Sequence, residues 1–241
     1  FAIVPEQFSM QTQKEIVSLH PSHGVANIDI LSFQRLAYRV FEELAVETRT
    51  VLDDMGKSLV IRRVVSERKN DLGLYQSHLD KPGFIEKLKS MISEFYQYGV
   101  DAETLKKMEE QAGTRILKEK LRDMQVVFAG FQEFIEKKYI TAEEVLDVLS
   151  RMIPRSEILK DSVVTLDGFV DFTPVQYRVL EQLMLCSRQV VVTAIVDAGE
   201  KPYEAGKAQE LFHMSRRTIR KLDSLAAACN VPRDKDILLN A

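Results

Sequence analysis

Apolar residues recur along this chain in two registers. Short continuous runs occupy Phe1 to Val4, Ile28 to Leu31, Val163 to Leu166 and Val190 to Val196. They are rich in β-branched and large apolar side chains, and they predict the doubly buried strands of a parallel sheet. Elsewhere the apolar positions fall at helical spacing. Ser9 is placed to cap a helix running to about His20, and after the second run Phe33, Leu36, Ala37, Val40, Phe41 and Leu44 share one helix face. From about residue 50 to 160 the pattern predicts helices and no strand. Phe84, Ile85, Leu88, Met91, Ile92 and Phe95 keep a helical period, as do Leu117, Leu121, Met124, Phe128, Phe131, Phe134 and Ile135. Thr141 and Glu144 have the spacing of a capping box ahead of Val145, Leu149 and Met152. Thr173 then predicts an N-cap, with Pro174 in the first helical position, and residues from about Lys207 to Asn230 read as helix again.

A strand-helix pattern that is interrupted by a long helical block and then resumes predicts an α/β domain carrying an insertion. The expected division is an α/β core over 1–50 and 160–241, with an all-helical subdomain over 51–159. The chain opens inside a strand and without a methionine, which reads as an excised fragment whose upstream segment, including any phosphate-binding loop, lies out of view.

Composition changes this picture little. In 241 residues a hydrophobic share of 45% is ample for a buried core. No apolar stretch approaches the roughly 18 residues of a membrane span and no leader pattern is present, so no membrane contact and a cytoplasmic location are expected. The two cysteines, Cys186 and Cys229, are far apart and without a histidine at ligand spacing, so they read as buried thiols. A net charge of -3 gives no overall basic field. Nucleic-acid contact would need a local cluster, and Arg216, Arg217, Arg220 and Lys221 supply four cations in six residues after a possible N-cap at Ser215. The same run also reads as a solvated helix face.

Two stretches carry candidate nucleotide chemistry. Asp54-Met55-Gly56-Lys57-Ser58 ends like a phosphate-binding loop, but its first glycine would fall at Val51, no strand leads into it, and Asp53 and Asp54 would repel phosphate. A helix start is the reading adopted. In the second stretch, Val163-Val164-Thr165-Leu166 delivers Asp167 to a strand's carboxyl end, where such an aspartate can hold magnesium beside a glutamate that handles water. Here Gly168 occupies the glutamate position, and Asp171 and Gln176 follow. Asp171 and Thr173 could equally cap the next helix.

Asp167, Phe169, Asp171 and Gln176 resemble the second motif of superfamily 1 helicases of the UvrD/RecB type. More closely, V-P-E-Q-F-S-M-Q, I-L-S-F-Q-R-L-A-Y-R-V and L-D-G-F-V-D-F-T-P-V-Q look like the B subunits of AddAB helicase-nucleases. That resemblance implies a core like that of P-loop NTPases, a parallel sheet with a large helical insertion. It also implies a longer chain acting in recombinational repair of double-strand breaks, an AddA-type partner in a heterodimer, and single-stranded and double-stranded DNA ends as ligands. ATP with magnesium and a 4Fe-4S cluster are implied for the whole family member and not for this stretch.

The resemblance departs at Gly168, which cannot polarise water, and at Val170, which lacks the usual amide. Productive ATP hydrolysis is therefore not expected and no catalytic residue is assigned. Asp167 is the one candidate magnesium ligand, and only together with an upstream loop. For DNA the candidates are Ser9, Gln11, Ser32, an exposed Phe33 that could stack on a base, Gln34, Arg216 and Arg217. The competing reading is a protein-interaction scaffold that docks on a partner chain and binds neither nucleotide nor DNA.

Overall fold

A computed structural model describes residues 1–46, 49–79, 81–136, 138–197, 199, 201–204, 206–207 and 209–238. In chain order the first elements are β1 (Ala2–Ile3), α1 (Ser9–Leu19), β2 (Ile30–Leu31), α2 (Phe33–Glu43), β3 (Thr50–Leu52) and α3 (Asp54–Glu67). There follow α4 (Phe84–Tyr98), α5 (Ala102–Glu110), α6 (Arg115–Ile135), β4 (Tyr139–Thr141), α7 (Ala142–Met152) and α8 (Glu157–Lys160). The last are β5 (Val163–Leu166), α9 (Pro174–Cys186), β6 (Gln189–Val192) and α10 (His213–Ala228).

The chain forms two compact units, residues 1–46 with 146–241 and residues 47–145. The first is α/β. Its four strands lie in the order β2-β1-β5-β6, all parallel, with Ile3 opposite both Leu31 and Leu166, and Leu166 opposite Val192. Ile3, Val164 and Leu166 are fully buried at its centre, and α2 covers it with Phe33, Leu36, Ala37, Val40 and Phe41. Thr173 and Gln176 complete a capping box at the start of α9, so that helix begins where its sequence pattern places it. Glu43 at the end of α2 reaches across more than a hundred residues of chain. Its carboxylate accepts from Ser156 Oγ at 2.5 Å and from the backbone N–H of Glu157 and Ile158 at 2.7 and 3.0 Å. The two chain segments of this unit are thereby tied together at α8.

Four expectations need correction. Ser9 does not cap α1. Pro5 leads a 3-10 turn, Glu6–Phe8, straight into the helix, and the Ser9 hydroxyl donates to the Glu6 carbonyl at 2.9 Å. The second strand is shortened to Ile30–Leu31, leaving Ile28 exposed. The last strand stops at Val192 on the sheet edge, so it is not buried on both faces and Val191 is 39% exposed. The helical unit also contains a strand pair, β3 with β4, parallel from Thr50 opposite Tyr139 to Leu52 opposite Thr141. Three-residue strands are too short to show a period of two, and their pairing spans most of the unit.

The core of that second unit is built by α3, α4 and α6 around Ile61, Val64, Ile92, Met124, Phe128 and Phe131. Gly130 lets α6 approach α3 closely, since a Cβ there would stand 2.6 Å from Val64 Cγ1. Asp123 is buried and accepts from the N–H of Gly73 at 2.9 Å and of Tyr75 at 2.7 Å, closing the connection after α3. Among the described residues no helix is long and apolar enough to cross a membrane.

Candidate functional site

From β1 the chain moves to β2 at one edge of the sheet, and from β5 it moves to β6 at the other edge. Ligands of parallel α/β sheets bind outside the carboxyl ends of strands at such a reversal. Here that place is formed by Val4 and Pro5 after β1 and by Asp167 and Gly168 after β5. Asp167 donates its N–H to the Ile3 carbonyl at 3.0 Å, and its exposed carboxylate accepts a hydrogen bond from Thr193 Oγ1 beyond β6.

Gly168 adopts φ +78°, and a Cβ at this position would meet Pro5 Cδ at 3.4 Å. The backbone therefore selects glycine here, apart from any loss of a carboxylate. As a cation site this edge offers one carboxylate and one hydroxyl. Magnesium is usually held by one or two carboxylates with substrate phosphates completing its octahedron, so these residues do not form a self-sufficient site. Among the described residues no group of three His, Cys, Asp or Glu is placed to hold a metal ion. Two half-buried cysteines likewise cannot supply the four thiolates of an iron–sulfur cluster, and burial pushes both thiols up.

Past Gly168 the chain folds into an aromatic turn. Phe169 and Phe172 pack edge-on against Phe33 with ring centroids at 5.5 and 6.3 Å, and Phe172 meets Tyr177 at 5.6 Å. Asp171 is the polar centre of this turn. Its Oδ1 accepts from Phe172 N–H at 2.8 Å, Tyr177 hydroxyl at 2.9 Å and Thr218 Oγ1 at 3.1 Å, with Lys221 Nζ 3.6 Å away. Burial pushes the Asp171 carboxyl up, but the hydrogen bonds from Phe172, Tyr177 and Thr218 together with the Lys221 charge outweigh it, and the pKa lies below the ordinary value. The same arrangement pushes the Tyr177 phenol well up, through burial first and then the bond to Asp171. The single Thr218 hydroxyl proton is shared between Asp171 Oδ1 and the Val170 carbonyl, 2.8 Å away, so α10 is pinned to the turn.

Asp167, Gly168, Asp171 and Gln176 thus share one strand-turn-helix, and Asp171 and Gln176 have local tasks there. Gln176 accepts from Thr173 N–H at 2.8 Å as part of the helix cap, and Asp171 holds α9 and α10 together. Ser32 is buried and caps α2 by accepting from Arg35 N–H. Phe33 is only 5% exposed, which corrects the expectation of a ring open to stacking. Gln11 and Gln34 lie at the surface or near it, bonded to Glu15 and Tyr38 on their own helices. Arg216 is buried and paired with Glu210, whereas Arg217 is exposed. Neighbouring arginines differ because a helix turns about 100° per residue.

The family profile described as ADDB, N-terminal matches residues 1–241. The chain belongs to that family. Similar proteins include the B subunit of the ATP-dependent helicase/deoxyribonuclease of Lachnoclostridium phytofermentans, 42% identical over 98% of this chain and 21% of the relative. Proteins of the same description from Clostridium novyi and Geobacillus kaustophilus are each 33% identical over 99% of this chain and 21% of their own length. The chain therefore spans about a fifth of the relatives it matches.

A strand, β3, does lead into Asp53, contrary to expectation, but in this ADDB N-terminal chain Gly56-Lys57-Ser58 is the start of a helix and not a phosphate loop. Asp53 caps α3 by accepting from Gly56 N–H at 2.7 Å, and Lys57 is buried against Glu143 and Ser93. Tyr177 and Thr218 are the residues of the site that sequence reasoning missed. Neither belongs to a motif, and only the packing of α10 beside α9 brings them to Asp171.

Proposed function

We propose that this region is the helicase-like N-terminal part of the B subunit of an AddAB-type helicase-nuclease, in which it binds DNA without productively hydrolysing ATP. The fold it would use is a P-loop NTPase-like parallel core with the helical unit as its insertion. Its setting would be cytoplasmic recombinational repair of double-strand breaks, with an AddA-type subunit as partner and single-stranded and double-stranded ends as ligands. Membership of the family, and the description of the relatives as B subunits of helicase/deoxyribonucleases, support the assignment. The observation that carries the inactive reading is Gly168. It stands where an active relative's second motif has glutamate, and its backbone at φ +78° disfavours any side chain. Loss of a general-base position costs about 10² to 10⁴ in rate.

Of the DNA candidates, Ser9, Gln11, Gln34 and Arg217 remain at least partly accessible for phosphate contacts. The test is the full-length subunit without its partner. Background ATPase in the presence of DNA, unchanged in Gly168→Glu, is the expected result, together with DNA binding that weakens steeply with salt. Robust turnover by the unmodified subunit would overturn the inactive reading, and absence of DNA binding would favour an interaction scaffold.

A further inference from the structure

Beside the buried Arg216, α10 carries a polar stripe of its own. Arg217, Arg220, Lys221 and Ser224 follow the i, i+3, i+4, i+7 spacing of one helix stripe. They line an open groove of about 560 Å³ whose other wall is Tyr177 of α9 and whose floor includes Leu225. Neither Arg217 nor Arg220 makes an ion pair among the described residues. The Nε of Arg220 is shielded from solvent and has no hydrogen-bond partner among them. Lys221 is held differently, with its ammonium 4.8 Å from the Tyr177 ring centre and 3.6 Å from Asp171.

We infer that this groove is a phosphate-binding site, in which the guanidinium groups of Arg217 and Arg220 and the Ser224 hydroxyl receive phosphate oxygens. Guanidinium forks match phosphate oxyanions geometrically, and a stripe about 10 Å long can follow more than one phosphate. Asp171 tunes the site, because its carboxylate draws Lys221 toward the turn and partly neutralises it. The ligand chemistry is that of a phosphodiester strand or of a free nucleoside phosphate. The strand form deepens the proposed function and rests on it.

The experiment uses the full-length subunit, alone and with its partner, and the double variant Arg217→Ala/Arg220→Ala. A dT oligonucleotide is titrated over a range of salt, and in a separate arm ATP and inorganic phosphate are titrated directly. For a single strand the slope of log affinity against log salt should fall in magnitude by about 1.4 in the double variant, and Arg217→Lys/Arg220→Lys should recover most of it. Asp171→Asn keeps the Oδ1 acceptor for Phe172, Tyr177 and Thr218 while removing the charge, so it should bind several-fold more tightly, a gain that unfolding cannot mimic. An unchanged oligonucleotide slope, with ATP or phosphate binding lost in the alanine variant, would place the free phosphate in the groove. If neither arm distinguishes the alanine variant from the parent, the groove inference is overturned, while DNA binding by the parent leaves the proposed function standing. If the parent binds no DNA, the proposed function fails and the groove is decided by the phosphate arm alone.

Discussion

Lys57 and Glu143 form an ion pair of 3.0 Å inside the helical unit, their side chains only 4% and 12% exposed. Ser93 Oγ accepts a further hydrogen bond from the ammonium at 3.2 Å. Removing one partner of such a pair leaves an uncompensated buried charge. Lys57→Ala is therefore expected to destabilise the unit by about 3–5 kcal/mol. Urea denaturation of Lys57→Ala checks this, and the double replacement Lys57→Met/Glu143→Leu should recover much of the loss. ATP affinity of the folded subunit should not change, since this lysine is spent on Glu143.

The clasp made by Glu43 predicts a pH dependence. Burial pushes its carboxyl up, but the Ser156 hydroxyl, the N–H groups of Ile158 and Glu157 and the nearby Arg39 together bring the pKa below the usual 4.5. The folded group is thus the stronger acid. Its contribution is complete above pH 4.5 and is lost as pH falls through the lower folded value. Glu43→Ala should cost about 1–2 kcal/mol at neutral pH. The difference from the parent protein should shrink on acidification, as thermal melts at pH 7 and in the acid range would show. A difference that grows toward acid would contradict the assignment.

Gly130 sets the approach of α6 to α3. A methyl group there would stand 2.6 Å from Val64 Cγ1 and 3.0 Å from Arg68 Nε. Gly130→Ala should cost about 1–3 kcal/mol through overpacking, despite the better helix propensity of alanine. Trimming the obstacle with Val64→Ala in the same chain should return part of that cost, a coupling measurable in a double-mutant cycle.

Tyr177→Phe removes one of the donors that hold the Asp171 carboxyl low. A loss of about 1 kcal/mol is expected at neutral pH. Because the folded pKa of Asp171 then rises, its stabilising contribution should begin to disappear at higher pH than in the parent. Carbon-13 NMR titration of the aspartate carboxyl would follow the shift directly, and an unmoved titration would refute the role given to the phenol.

The sequence by itself determined the elements that announce themselves locally. The amphipathic faces of α2, α4 and α6, the Thr173-Pro174-Gln176 start of α9 and the Thr141–Glu144 box at α7 all depend on neighbours within about one turn, where period and capping act. Only the tertiary structure decided what depends on partners far along the chain. Three-residue β3 and β4 exist because they pair with each other, and Glu43 finds its partners more than a hundred residues on. Phe33 is closed off by Phe169 and Phe172, and one turn angle sends Arg216 inward and leaves Arg217 at the groove. In the candidate site, the missing carboxylate at Gly168 could be read from the sequence. That its backbone also selects glycine, and that Asp171 works as a clamp between α9 and α10, follows from packing that no local pattern encodes.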